Sequence, residues 1–358
     1  MTKMKTLFEG WRKFNTTEPL NELALPGSSQ AKMDDEIELL GREELAVAIE
    51  KAFQGGPGDV RAFMNSPQGK DPKVRKFLGM AHSKYDGSSS DDEVPLDSSA
   101  KPQLADMKPT QSFIDLMQSV AFPLGSFDSL KDAIVEGGHG PITVSLPYVI
   151  DGHHRWSGAY AINPEGSISA NNLGFKGDEG QKLAAAQLAV AAVDPNPSDA
   201  FPSKGGEAKT DIIGKKAAEI KQMILANIDE RTDDKAPGNL LNPEMIATIG
   251  KTKDPVILKW ANITPQEAEN AEVVIDKIAD KVATNLGSLP QPSSTAPDRP
   301  DMPQLDHPSI GGDKGLAKIF KAIPNSEFNL EPPFIKKSVK EIKIRVKKEL
   351  THQGGTPQ

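Results

Sequence analysis

The stretch Leu146-Pro147-Tyr148-Val149-Ile150-Asp151-Gly152-His153-His154-Arg155-Trp156-Ser157-Gly158-Ala159 decides how this chain is read. Tyr148-Val149-Ile150 has the apolar, β-branched composition of a short strand, and so does Ile142-Thr143-Val144 upstream. Leu146-Pro147 between them predicts a tight turn. Gly152 permits a sharp change of direction, and a helix is expected from there to Ile162. A strand therefore delivers Asp151, and a helix opens with His153, His154 and Arg155. The start of a helix presents N–H groups without intrahelical acceptors and the positive end of the dipole. Arg155 and two imidazoles beside those donors compose an anion site suited to phosphate. Asp151 adds a carboxylate that can hold a divalent cation, magnesium above all, or orient His153. That extends the expectation from phosphate binding to phosphoryl transfer, with Asp151 and His153 as the candidate catalytic groups. Asp-Gly is also a common turn pair, and histidines at a helix start can serve as plain caps, so a structural reading stands beside the functional one. Neighbouring side chains on a helix diverge by about 100°, so a metal chelated by both histidines is not expected.

Working outward, Leu130, Ile134 and Val135 predict a helix that closes at Gly137-Gly138, and Ser167-Ile168-Ser169-Ala170 predicts one more strand. Strands and helices alternating at short spacing make residues 94–175 a small α+β domain with a mixed sheet. Helical segments flank it. In 33–93, Leu45, Ile49 and Phe53 share a helical face before Gly55-Gly56, and Asp71-Pro72 opens a helix carrying Val74, Phe77, Leu78 and His82. The polar run Asp86–Glu93 then reads as an exposed loop; its spacing does not supply the glycine and terminal glutamate positions of an EF-hand. In 176–287, Leu183–Val193 is a small-residue helix, and Ile212, Ile213, Ile220, Ile224 and Ile228 mark a second. Thr264, Pro265 and Glu267 form a capping box that launches a helix with Ala268, Val274, Ile275, Ile278 and Val282. The prolines of 288–311 predict a linker, and 312–358 a basic tail with a short helix, Leu316–Ile323. At the other end, 1–32 holds an amphipathic piece built on Leu7, Phe8, Trp11 and Phe14, then a linker.

Composition bounds the function classes. The 358 residues are 37% hydrophobic, below the roughly 45% of a fully compact protein. The absence of cysteine excludes disulfides, zinc-finger and iron–sulfur sites and a cysteine nucleophile. No apolar run approaches the about 18 residues of a membrane span, and the N-terminal residues do not have the pattern of a secretory signal. A net charge of −8 disfavours general coating of nucleic acid, although a local patch is compatible with it. There is no Walker loop, no nucleophile elbow and no His-Glu-x-x-His pair. Gly311–Gly315 reads as a hinge, and His82 and His139 read as packing or turn residues, with His139 near the signature.

Tyr148-Val149-Ile150-Asp151-Gly152-His153-His154-Arg155-Trp156 resembles the signature of the ParB/sulfiredoxin-like superfamily, in the variant labelled a ParB-like nuclease domain. Met107-Lys108-Pro109-Thr110-Gln111 resembles the Pro-Thr-Gln segment that follows the first strand in phage-type members. The helix 127–136 and Gly140-Pro141-Ile142-Thr143-Val144 resemble the elements that precede the signature. The resemblance spans roughly 94–175. It implies a nucleotide or other phosphate-bearing ligand held by Gly152, His153, His154, Arg155, Thr110 and Gln111, with magnesium on Asp151. Free-serine kinases of this fold use a catalytic glutamate near the first strand; the nearest counterpart here is Gln111, whose amide cannot act as a general base, and Asp115 is close but at a different offset. Sulfiredoxin activity requires a cysteine at the position of His153, so that branch is excluded. The helix-turn-helix and dimerising tail of partition proteins have no recognisable counterpart.

Two further readings belong to other classes. Leu7-Phe8-Glu9-Gly10-Trp11-Arg12-Lys13-Phe14 resembles the beginnings of proteins from marine tailed phages, and Leu20-Asn21-Glu22 resembles a head-maturation cleavage site. On that reading the protein is structural or packaged in the virion; otherwise the host cytoplasm is expected. The tail segment 335–350 holds Lys336, Lys337, Lys340, Lys343, Arg345, Lys347 and Lys348, a basic face able to meet nucleic acid in a salt-dependent way. Oligomeric state is not legible.

Overall fold

Ile142–Ser145 (β3) and Tyr148–Asp151 (β4) fold as an antiparallel hairpin around a cis Leu146–Pro147 bond, in a mixed five-stranded sheet. The structure is a computed structural model. It describes residues 51–70 (apart from 53, 54 and 68), 96–193 (apart from 138, 139 and 176), 210–229, 241–298, 302, 303 and 305. All of these fall within one compact unit, Leu45–Glu341. Several sequence expectations lie outside the described residues: the amphipathic segment 1–32, the face of Leu45, Ile49 and Phe53, and the helix and acidic loop of 71–93. So do His139, Gly311–Gly315, the helix Leu316–Ile323 and the basic segment 335–350.

The chain enters through helix α1 (Pro57–Asn65), strand β1 (Leu96–Ala100), a 3-10 turn at Leu104–Asp106 and the two-residue strand β2 (Lys108–Pro109). Helices α2 (Leu116–Val120) and α3 (Phe127–Glu136) precede the hairpin, and α4 (His153–Ile162) and β5 (Ala170–Leu173) follow it. The strands lie in the order β1-β5-β3-β4-β2; β5 runs parallel to β3 and β2 parallel to β4, while β1 runs antiparallel to β5. The final strand starts at Ala170, where the sequence pattern ends its strand; Ser167 makes only an isolated bridge to Gln103. The apolar β-branched residues of β3 and β4 explain their central place, since all of β3 and the middle of β4 are buried.

Strand alternation puts Val149 on one face of the sheet and Tyr148 and Ile150 on the other. Val149, Ile142 and Val144 join the main core with Trp156 and Tyr160 of α4. On the opposite face α5 (Glu179–Val193) lays Lys182 over the Tyr148 ring. The remaining helices, α6 (Ala217–Asp229), α7 (Pro243–Thr252), α8 (Pro255–Trp260) and α9 (Ala271–Leu286), contribute Ile220, Ile249, Ile257 and Ile278 to the α4 side of that core. One core therefore runs through residues 104–289 without a break at position 175.

Local signals place most helix ends. Ser126 caps α3, and Gly137, with φ 88°, ends it. Asn242 and Asp254 cap α7 and α8, each followed by proline at the first helical position. The capping box is present: Thr264 N donates to Glu267 Oε2 at 2.8 Å, and Glu267 N donates to Thr264 Oγ1 at 3.2 Å. It starts a 3-10 turn, Glu267–Glu269, rather than the long helix; Asn270 caps α9 afresh by accepting from Glu272 N. Ile212 and Ile213 precede α6, because Asp211 pairs with Asp115 in a bridge and holds that segment out of the helix. No helix among the described residues is long and apolar enough to cross a membrane.

Candidate functional site

Helix α4 is buried along nearly its whole length. Its far end is tied down by side-chain donors. Asn285 Nδ2 donates to the carbonyls of Ala161 (2.7 Å) and Ile162 (3.2 Å), and Trp260 Nε1 donates to Ile162 O at 2.8 Å. These bonds satisfy carbonyls that a helix C-terminus otherwise leaves without partners. Midway, Trp156 Nε1 donates to Leu104 O, the Ser157 and Ser119 hydroxyls meet at 2.7 Å, and Tyr160 Oη donates to Ser288 O. At Gly158, a β-carbon would stand 2.5 Å from Ser119 O, so only glycine allows α2 to approach this closely.

The near end is the Asp151–Arg155 turn. Gly152 is the N-cap, in the left-handed region at φ 89°, ψ 28°, and supplies no side-chain cap. A β-carbon there would lie 2.8 Å from Ile142 Cγ2 and 3.2 Å from Arg155 Nε, so Arg155 is folded back over the glycine. The first turn of α4 carries no acidic residue. Asp151 Oδ1 accepts from Gly152 N at 2.7 Å, which fixes the carboxylate at the turn.

His153 is buried at 4% exposure, whereas His154 and Arg155 are half-buried. The Thr110 backbone N–H donates to His153 Nε2 at 3.1 Å. That nitrogen is therefore an acceptor, and a neutral ring carries its proton on Nδ1. Thr110 Oγ1 donates to Val149 O at 2.6 Å and lies 3.3 Å from the same imidazole nitrogen. The structure thus brings Thr110, His153 and Val149 together, pinning the loop after β2 to the end of β4. Gln111 is buried, but its amide donates to Phe113 O at 2.7 Å, within its own loop. Asp115 caps α2 by accepting from Gln118 N, and Thr210 Oγ1 donates to its other oxygen at 3.5 Å.

Two features, one at the Leu146–Tyr148 end of the hairpin and one at the turn, carry no sequence signal. One is Lys182, buried on α5, whose Nζ donates to Leu146 O at 2.8 Å and lies 5.2 Å from the Tyr148 ring centroid. Desolvation pushes its amine below the usual lysine range. The other is the proline-rich segment after α9: Leu305 N donates to Asp151 Oδ2 at 3.2 Å. Nearby, Glu179 at the start of α5 is held above the usual carboxylate range by desolvation, against the pull of a hydrogen bond from Ser293.

Among the described residues, no group of three or more His, Asp or Glu side chains converges to hold a metal ion. A single carboxylate at a turn still fits magnesium, which binds through one or two carboxylates plus the phosphates of its ligand. Asp151 is the carboxylate at this turn, and its two oxygens accept backbone N–H bonds from Gly152 and Leu305. No protein-family model, no curated protein and no solved structure matches the chain.

Proposed function

We propose that the protein binds a phosphate-bearing ligand, a nucleotide or a phosphorylated small molecule, at the Asp151–Arg155 turn. The observation that carries this reading is the start of α4: an uncapped, acid-free helix N-terminus on a left-handed glycine with Arg155 folded over it. Donors and positive charge at one short turn suit an anion with several acceptor oxygens. On this reading Arg155 and His154 contact the phosphate, and Gly152 lets it approach the backbone closely. His153 keeps Thr110 and its loop against the helix. Asp151 holds magnesium, which when bound neutralises phosphate charge and so assists transfer or hydrolysis. The finer fold assignment, a ParB/sulfiredoxin-like domain over 94–175, goes with this reading. The virion and nucleic-acid readings rest on 1–32 and 335–350, outside the described residues.

The test is thermal unfolding with ATP and other nucleoside triphosphates, with and without magnesium. A rise in Tm that Arg155→Ala abolishes, in a variant that still melts cooperatively, is the expected result. No rise with any nucleotide, or an equal rise in Arg155→Ala, refutes the reading.

A further inference from the structure

The sheet ends in two edges, and each has lost N–H groups that a further strand would need. An edge strand ordinarily presents unpaired backbone donors and acceptors that template pairing with another chain. Strand β2 offers no backbone donor: Lys108 N donates to Pro147 O at 2.8 Å, and Pro109 has no N–H. Strand β1 is longer and pairs, among the described residues, only with β5. Its middle residues, Asp97, Ser98 and Ser99, are exposed. From Asp97 to Ala100 it takes three steps while β5 takes two from Asn172 to Ala170, so an extra residue bulges out of the ladder. Inside that bulge one carboxylate oxygen gathers both Ser99 donors. Asp97 Oδ1 accepts from Ser99 N at 2.8 Å and from Ser99 Oγ at 2.7 Å. These bonds, the hydroxyl's above all, hold the Asp97 carboxyl below the usual carboxylate range, so it is ionised and accepting at neutral pH.

We propose that Asp97 is a guard on this edge: by drawing the Ser99 N–H into its own bulge, it keeps β1 from pairing with β1 of a second copy of the chain. A second copy is the partner this edge fits. Two identical strands set antiparallel are self-complementary about a two-fold axis. Strand β2 has no donor to give, so β1 against β1 is the pairing that the described edges support. The bond is the main barrier, and the charge is the lesser one. Repulsion between exposed carboxylates is screened by salt. A consumed N–H and a bulged backbone remove a ladder position at any ionic strength. The guard is independent of the Asp151–Arg155 reading, since β5 and β3 lie between β1 and β4.

The test compares the full-length native chain with Asp97→Ala and Asp97→Asn. Mass is measured by light scattering from micromolar to submillimolar concentration, and amide hydrogen exchange locates the contact. Alanine removes the acceptor, whereas asparagine removes the charge and keeps an oxygen that accepts from Ser99 N. Asp97→Ala, still melting cooperatively, is expected to rise with concentration toward about twice the native mass, one copy added at the one open edge. Its amides at 96–100 gain protection as it does so, and Asp97→Asn keeps the native mass. Equal masses for Asp97→Ala and the native chain at every concentration overturn the guard. Association of Asp97→Asn as strong as that of Asp97→Ala also overturns it, because the barrier is then charge. Protection gained only outside 96–100 does the same. So does growth without limit, since pairing of β1 with β1 closes at two copies.

Discussion

Replacing Gly152 by alanine tests the geometry of the turn at its most demanding atom. The glycine sits at φ 89°, where a β-carbon crowds the adjacent carbonyl at a cost of about 1–2 kcal/mol. The added methyl also lands 2.8 Å from Ile142 Cγ2 and 3.2 Å from Arg155 Nε. Squeezing a methyl into packed surroundings costs about 1–3 kcal/mol more. The sum is about 2–5 kcal/mol. At about 2–4 °C per kcal/mol for a unit of this size, Tm falls by several degrees or more. Gly214→Ala is the control: that residue also has positive φ, 72°, but no atom lies within 4 Å of its would-be β-carbon, so only the backbone part of the cost applies. The assay is urea and thermal unfolding of both variants beside the native chain, followed by ATP binding. A Gly152→Ala loss no larger than that of Gly214→Ala would falsify the packed cradle. It would mean that Ile142 and Arg155 yield freely and that the turn is not built around a glycine.

Other perturbations follow from the same contacts. His153→Leu strands the buried Thr110 N–H, so unfolding free energy falls by about 1–3 kcal/mol; a variant as stable as the native chain in urea refutes the role of Nε2 as acceptor. Asn285→Ala and Trp260→Phe each remove a donor to Ile162 O, and the double variant loses more stability than the two single losses added, because only then is that carbonyl left bare. Strict additivity in the double-mutant cycle contradicts this. Lys182 has a folded-state pKa below its ordinary 10.5, so between that lowered value and 10.5 the unfolded chain binds more protons and stability rises with pH. Measured as urea midpoints from neutral pH to 10.5, the native chain gains on Lys182→Met through this window; parallel profiles rule the idea out.

The hairpin, α3, α4 and the turn between β4 and α4 are legible in the sequence because their determinants are local. Ile142–Val144 and Tyr148–Ile150 are β-branched runs, Gly137 stops a helix, and Asp151-Gly152 marks a sharp turn. β1 and β2 are not legible. Leu-Asp-Ser-Ser-Ala has no alternating apolar face, and Lys108–Pro109 is held only by its parallel neighbour β4. The capping box at Thr264 is a true local signal, yet Asn270 three residues past Glu267 restarts the helix, a competition that pattern alone does not rank. Within the site, Asp151, Gly152 and Arg155 could be picked out by type and spacing. Lys182 and Leu305 could not, because each meets the turn or its hairpin from a distant part of the chain. Proline-rich composition points to an extended backbone, and nothing in it says whether buried side chains such as Met302 and Leu305 fasten that backbone down.

Helix α4 resembles an axle seated in a bearing. Its far end is gripped by Asn285 and Trp260, and its middle is pressed so tightly at Gly158 that no side chain fits between it and Ser119. Such a rod cannot rotate or slide on its own. The direction in which Arg155 and the first-turn N–H groups point is therefore inherited from residues at the opposite end of the helix. Sequence drift in α8 or α9 can therefore re-aim the turn while leaving the Asp151–Arg155 residues themselves unchanged.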